Sequence, residues 1–305
     1  MPNVIKTDFL ERFRARFGEL RKIGPSNSLF LVGEDAARIY IRYSKVHADG
    51  NTFFGLRDVD LRQLEGHNSF ICFLRDNASE PILLPYADFE EVFRGAQPAT
   101  DGQYKVQLVT NRGPLELYVS RQGRFNVEGY VGFVPLEQTL DAKRLRPAQN
   151  LTHAQVQTIL AGIGRVKGYD VYVPENNVAL LDWSLTARFA LRPRIPPGFD
   201  DIAPILSEID VIWVAGRGNS IESLFEVEHS TSVYSGLLRF NDVFITHPQV
   251  SRFSIVSEDS RRAVFSRQLF RPTFRQSGLA ERVTFLEYAN VADWHGRLVG
   301  DPSVR

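Results

Sequence analysis

Two styles of patterning divide the chain, and no other feature of the sequence restricts its fold as much. From residue 28 to about 135 the apolar residues come in short alternating or continuous runs punctuated by Gly, Asp and Asn: SLFLVG, ARIYIRYS, NTFFGLR, NSFICFLR, EPILLPY, QYKVQLV, LELYVS and RFNVEGYVGF. Short runs of period two, bounded by turn residues, are the mark of strands with one buried face. Two short helices, Asp58 to Glu65 and Tyr86 to Phe93, interrupt them. The expected unit is β-rich α+β, barrel-like or built on a strongly curved sheet. Before it, residues 1 to 23 read as one amphipathic helix with Phe9, Phe13, Phe17 and Leu20 at near-helical spacing, ended by GPSNS.

Residues 136 to 150, LEQTLDAKRLRPAQN, show little periodicity and reach a Pro before a new helix signal. The boundary is placed there, giving an N-terminal domain over 1–140 and a C-terminal domain over 150–305. Thr152 with Gln155 forms a capping-box pattern, Val156, Ile159, Leu160 and Ile163 make an apolar helix face reaching about Val166, and Gly168 closes it. Strands follow at YDVYVP (169–174), EIDVIWV (208–214) and SLFEVE (223–228), with GRGN joining the last two as an antiparallel hairpin. A helix from about Thr231 to Phe244, capped by Ser230 or Thr231, leads to the strand FSIVS (253–257), an Arg-rich helical stretch and the strand VTFLEY (283–288). The order from Thr152 is α, β, β, β, α, β.

Composition narrows the function classes. The 305 residues suffice for two cores, and no stretch approaches the roughly 20 uninterrupted apolar residues of a membrane span. The first residues, MPNVIKTDFLERFRARFG, lack the apolar centre of a signal peptide. The single cysteine, Cys72, excludes an internal disulfide framework and a multi-cysteine metal site, which fits a reducing cytoplasm. Zero formal charge excludes a histone-like basic coat, yet thirty arginines stand against six lysines. A GC-rich genome produces that skew, and so does phosphate recognition, for which the planar guanidinium fork is suited. GIGRVKG ends a helix instead of following a strand, so it is no dinucleotide fingerprint, and there is no Walker loop, HExxH or nucleophile elbow.

The chemistry concentrates in three acids. Asp210 lies in IDVIWV, and Glu226 and Glu228 lie in FEVEHS, where alternation puts both glutamates on one face. Carboxylates clustered on apolar strands repel one another, and a bound cation is the natural compensation. Magnesium prefers such oxygen ligands. The EVE triplet alone reads equally as an edge strand facing water; the apolar strand around Asp210, the tight turn and the flanking arginines point to a site. Glu208 reads as a solvated strand end.

The spacing from Asp210 to Glu226-Val227-Glu228, within this element order, resembles the PD-(D/E)XK nuclease superfamily with its restriction-endonuclease-like fold. IDVIWV…LFEVEHSTSVYSGLLRFNDVF with the later FRPTF is also similar to a family of restriction-endonuclease-like bacterial proteins. The likeness covers about residues 150 to 290. It implies an α/β C-terminal domain with an αβββαβ core and a mixed sheet. It further implies a magnesium ion held by Asp210, Glu226 and the Val227 carbonyl, with Asp210, Glu226 and Glu228 as catalytic residues and Glu228 taking the proton from the attacking water. Two departures stand out: Glu228 replaces the usual lysine, as in some active restriction enzymes, and Ile209 replaces the proline before the aspartate. On the first helix, which in some members supplies another acid, stand His153, Gln155 and Gln157, of which Gln155 is the candidate.

Two Arg-rich, acid-poor windows complete the reading. Arg188, Arg192 and Arg194 lie in an insertion between the first two core strands, and Arg261, Arg262, Arg267, Arg271 and Arg275 lie beyond the fourth; with Arg239 they are candidate phosphate contacts on double-stranded DNA. Solvated loop and helix faces would look the same. His229 is expected to pack or cap, and Phe53, Phe54, Phe70 and Phe73 to be core. The sequence therefore implies a magnesium-dependent DNA endonuclease of restriction type whose N-terminal domain selects the site. A catalytically degenerate DNA-binding or regulatory relative is the alternative, and a homodimer is admissible.

Overall fold

The computed structural model describes the chain except residues 1–3, 24–25, 34–35, 77, 111–112, 147–149, 217–218, 230–231, 251 and 301–305. It divides into two compact units, Met1–Arg146 and Pro147–Arg305.

The first unit begins with α1 (Val4–Phe17), β1 (Leu20–Lys22), β2 (Leu29–Val32), β3 (Ala37–Ser44), β4 (Thr52–Arg57) and α2 (Asp58–Leu61). It continues through β5 (Ser69–Arg75), β6 (Ile82–Pro85), α3 (Tyr86–Gly95), β7 (Gln103–Val109), β8 (Glu116–Val119), β9 (Gly123–Asn126) and α4 (Val134–Leu145). The first helix is shorter than the apolar spacing predicts. Gly18 takes φ +84, a left-handed conformation that stops the helix, and Leu20 is handed to an edge strand.

The strands form two open sheets, ordered β1-β2-β3-β5-β6 and β4-β7-β8-β9. The barrel-like expectation is corrected: among the described residues no sheet closes on itself. Phe54, Leu56, Phe73, Ile71, Val106 and Leu117 share one core. Phe9 and Phe13 of α1 and Leu136 of α4 pack into a second core with Ile39, Ile41 and Phe70. The five-stranded sheet is thus buried on both faces, which is why FICF is a continuous apolar run. Alternation survives on β4, where Phe54 is buried and Phe53, expected in the core, is 51% exposed. The boundary segment also differs from expectation: residues 134–145 are helical, docked through Leu136 and tied by Glu137 to Arg16.

Cys72 is fully buried, and burial pushes its thiol far above the ordinary range. It should therefore resist Ellman's reagent in the native protein and react as one equivalent only in denaturant. Rapid native labelling would contradict this packing.

The second unit runs α5 (His153–Val166), β10 (Tyr169–Tyr172), α6 (Glu175–Val178), α7 (Ala203–Leu206), β11 (Val211–Ala215), β12 (Ile221–Val227) and α8 (Val233–Thr246). After them come β13 (Phe253–Ser257), α9 (Arg262–Leu269), α10 (Pro272–Ser277), β14 (Val283–Glu287) and α11 (Tyr288–Gly300). The sheet order is β10-β11-β12-β13-β14. The first three strands are antiparallel, and β12, β13 and β14 are parallel. Alternate residues feed different cores: Val211 and Trp213 join α5 and α11, while Ile212 and Val214 join α8, α9 and α10.

The capping box on α5 is formed as its sequence predicts, Thr152 accepting from the Gln155 N–H and Gln155 from the Thr152 N–H. β11 starts later than predicted, because Glu208 to Asp210 belong to the turn and bend after α7. Ser230 and Thr231, expected to cap α8, and part of GRGN lie outside the described residues; α8 starts at Val233 with Ser232 as its N-cap, which makes no side-chain capping bond.

Candidate active site

Register brings the acids together. Val211 pairs with Phe225, so the residue before β11 meets the end of β12. There the Val227 N–H donates to Asp210 Oδ2 at 2.7 Å. From α5, Gln157 Nε2 donates to the Asp210 carbonyl at 3.1 Å and to Oδ1 at 3.2 Å, and His153 Nε2 lies 3.2 Å from the same Oδ1. That hydrogen bond holds the His153 imidazole above its usual pKa against the opposing effect of burial, and the charges of Asp210, Glu228 and Glu226 add to it.

Glu226 and Glu228 are 1% and 2% exposed and lie toward α8, as alternation predicts. That helix comes close because residue 236 is glycine: a Cβ there would sit 2.9 Å from Glu228 Oε1 and 3.3 Å from Glu226 Cβ. One turn on, Arg239 places a two-pronged fork on Glu226, Nε to Oε1 at 2.7 Å and Nη2 to Oε2 at 2.9 Å. Its Nη1 lies 3.6 Å from Glu208, an acid 68% exposed. Burial raises the Glu226 carboxyl above the carboxylate range, Arg239 opposes this, and the neighbouring Asp210 and Glu228 charges reinforce it. The pair is held together by charge in a place where charge is costly.

The donors are hard oxygens of the kind magnesium takes. Gln157 Oε1, beside Asp210, is buried without a hydrogen-bond partner, an orphaned acceptor that an added cation would satisfy. The set fits such an ion chemically, yet among the described residues no group of three or more Asp, Glu, His or Cys is arranged to hold one. Both Glu226 oxygens face the Arg239 fork, and the Asp210 oxygens face Val227, Gln157 and His153.

On α5, Gln155 is spent on the cap and on Asp182, so the candidate of the sequence reading is replaced by Gln157 and His153. Gln157 is 1% exposed, and a polar side chain within a helix buried from Val156 to Gly164 is the signal that could have found it. Tyr288, at the start of α11, was also missed. Its hydroxyl is buried without a partner, and burial, then the Glu258 charge, with Arg261 opposing and Glu228 and Asp210 adding, raises its pKa. His229 stacks on this ring at 6.3 Å.

The arginines divide into two groups. Arg262 is 12% exposed, paired with Asp259 and Glu287 over the Phe285 ring, and Arg192 is tied to Asn219 and Asp170, so both hold partners within the fold. Arg261 donates to the His229 carbonyl at 2.6 Å. Arg188, Arg194, Arg267, Arg271 and Arg275 are exposed. Arg188 lies over Trp183, and Arg271 over Tyr234.

The arrangement places buried acids at the meeting of two strands on a mixed sheet flanked by helices, an α/β domain. A model of the type II restriction enzyme NmeDI C-terminal domain family matches residues 134–297, slightly more than half of the chain, and takes in the whole five-stranded sheet and its acids. The chain belongs to that restriction-enzyme family. No curated protein and no solved structure matches it. No helix among the described residues is long and apolar enough to cross a membrane.

Proposed function

We propose that the protein is a magnesium-dependent DNA endonuclease of restriction type, of the PD-(D/E)XK kind with a D…ExE site, cutting with its second unit and selecting the site with its first. The observation that carries this reading is the convergence of Asp210, Glu226 and Glu228, all buried, inside the segment that matches a restriction-enzyme family. Asp210, Glu226 and the Val227 carbonyl would hold the ion, with Gln157 Oε1 within the same cluster. When bound, magnesium supplies Lewis acidity to the phosphate and acidifies water. Glu228 would accept the proton of the attacking water. His153 holds Asp210 in orientation.

Site choice by the first unit rests on a different observation. On the outer side of its four-stranded sheet Phe53, Gln107, Tyr118 and Arg124 stand in one cross-strand row, two aromatics with an amide and a guanidinium. Such a row suits stacking on, and hydrogen bonding to, an exposed base. A second functional reading, a DNA-binding relative with a silent site, is favoured by the hold of Arg239 on Glu226. Incubating methylated and unmethylated plasmids with and without magnesium separates the two: cleavage that requires the ion supports the enzyme, and binding with no cleavage under any condition supports the silent site.

The arginine division has its own expected result. Arg267→Ala and Arg271→Ala should each lower the salt slope of DNA affinity by about one. Arg262→Ala should leave the slope alone and lower stability, because Glu287, 5% exposed, loses the guanidinium that donates to it. Equal slopes in all three variants would return the exposed pair to an ordinary solvated face.

A further inference from the structure

We infer that Arg239 is a latch that keeps the acid site closed to cations until DNA is bound, an inference that rests on the metal-dependent reading above. The fork of Arg239 and a divalent cation compete for the same carboxylate. Both Glu226 oxygens are engaged at 2.7 and 2.9 Å, and Glu226 is the deepest of the three acids. The guanidinium stands in for part of the positive charge a metal would bring to Asp210, Glu226 and Glu228. Among the described residues no three acids, histidines or cysteines stand close enough to hold an ion together, and the Glu226 oxygens that would have to take part are occupied by the fork.

The latch has somewhere to go. The Arg239 side chain is 26% exposed and reaches from the buried Glu226 to Glu208, whose side chain is 68% exposed, so its head spans from the buried acid to the surface. A DNA phosphate arriving at that rim offers the same bidentate geometry as a carboxylate and adds no cost of burying the guanidinium. Transfer of the fork to phosphate would leave Glu226 as an uncompensated buried anion, which a divalent cation then neutralises. Cation binding and DNA binding are thereby coupled, each favouring the other. Glycine at 236 sets Arg239 at the right height, because α8 rests directly against the two glutamates.

The test measures cation binding and does not depend on cleavage. Calcium or manganese is titrated by calorimetry into the full chain, wild type and Arg239→Gln, with and without a duplex carrying phosphorothioate links. For the wild type, the duplex should tighten cation binding by about tenfold or more, a coupling of ordinary allosteric size. Arg239→Gln without DNA should match the duplex-bound wild type, and added duplex should change it little. A brace that merely positioned Glu226 predicts the opposite, weaker cation binding in Arg239→Gln, and that result overturns the latch. Should the variant not fold, the duplex-dependent shift in the wild type decides alone, and its absence overturns the latch. If magnesium-dependent cleavage is found but the coupling is not, the latch fails and the nuclease reading stands. If the coupling is found without cleavage, the latch stands in a silent enzyme.

Discussion

Asp210→Asn should lower magnesium-dependent cleavage of duplex DNA on the order of 10²- to 10³-fold, the size of effect seen when one preorganised electrostatic group is removed from an active site. The substitution keeps the shape of the side chain. Its remaining oxygen can still accept from the Val227 N–H, so the pairing at the strand end survives. The new amide would then turn a donor toward Gln157 Nε2 and His153, where the carboxylate accepts. One ligand charge is lost and the α5 side of the site is set against itself. DNA affinity in calcium should persist or increase, since an anion near phosphate has gone. Turnover within a few-fold of wild type would remove Asp210 from the site and with it the reading of the β11–β12 end as catalytic.

The largest stability effect is expected at Trp213. The side chain is fully buried and packs against Phe225 at 4.5 Å, Tyr169 at 5.5 Å and Trp294 at 5.8 Å, while its Nε1 donates to the Leu160 carbonyl at 3.1 Å. Truncation to alanine loses the transfer free energy of the indole and leaves a cavity between sheet and helices, about 3–5 kcal/mol. That corresponds to a fall in Tm of roughly 10 °C for a unit of this size. The reverse error has a smaller cost at the same contact. A Cβ on Gly164 would stand 2.4 Å from the indole nitrogen. Gly164→Ala gains about 1 kcal/mol of helix propensity but incurs about 1–3 kcal/mol of overpacking. Thermal unfolding followed by circular dichroism ranks the two; a Trp213→Ala protein as stable as wild type would show that the sheet does not rest on this ring.

What could be read in advance was what is local. The capping box of Thr152 and Gln155 needs only four consecutive residues, and the shared face of Glu226 and Glu228 needs only the pleat. What escaped is decided by distant partners. α4 has a thin apolar face, chiefly Leu136 and Leu140, and becomes helical against a sheet formed some sixty residues earlier, which no window over 134–145 contains. Open sheets and a barrel differ only in which strands meet, since their alternation is the same. Gln155 and Gln157 look equivalent along the chain; the cap claims one, and the rotation of α5 against the sheet delivers the other to Asp210. Arg239 stands within the stretch that carries the likeness, yet its bond to Glu226 depends on how α8 crosses β12, which no spacing along the chain contains.

Gly236 has a consequence for how this site can vary. A carbon at that position would lie 2.9 Å from Glu228 Oε1 and 3.1 Å from Ile255 Cδ1, so helix and acid already share one space. The length of the acid at 228 and the size of the residue at 236 therefore form a single variable. A chain that gained a methyl on the helix could restore the fit by shortening the glutamate to aspartate, and a chain that did neither would have to lift α8 and Arg239 with it. Sequence drift at the two positions is tied together, although neither residue is bonded to the other.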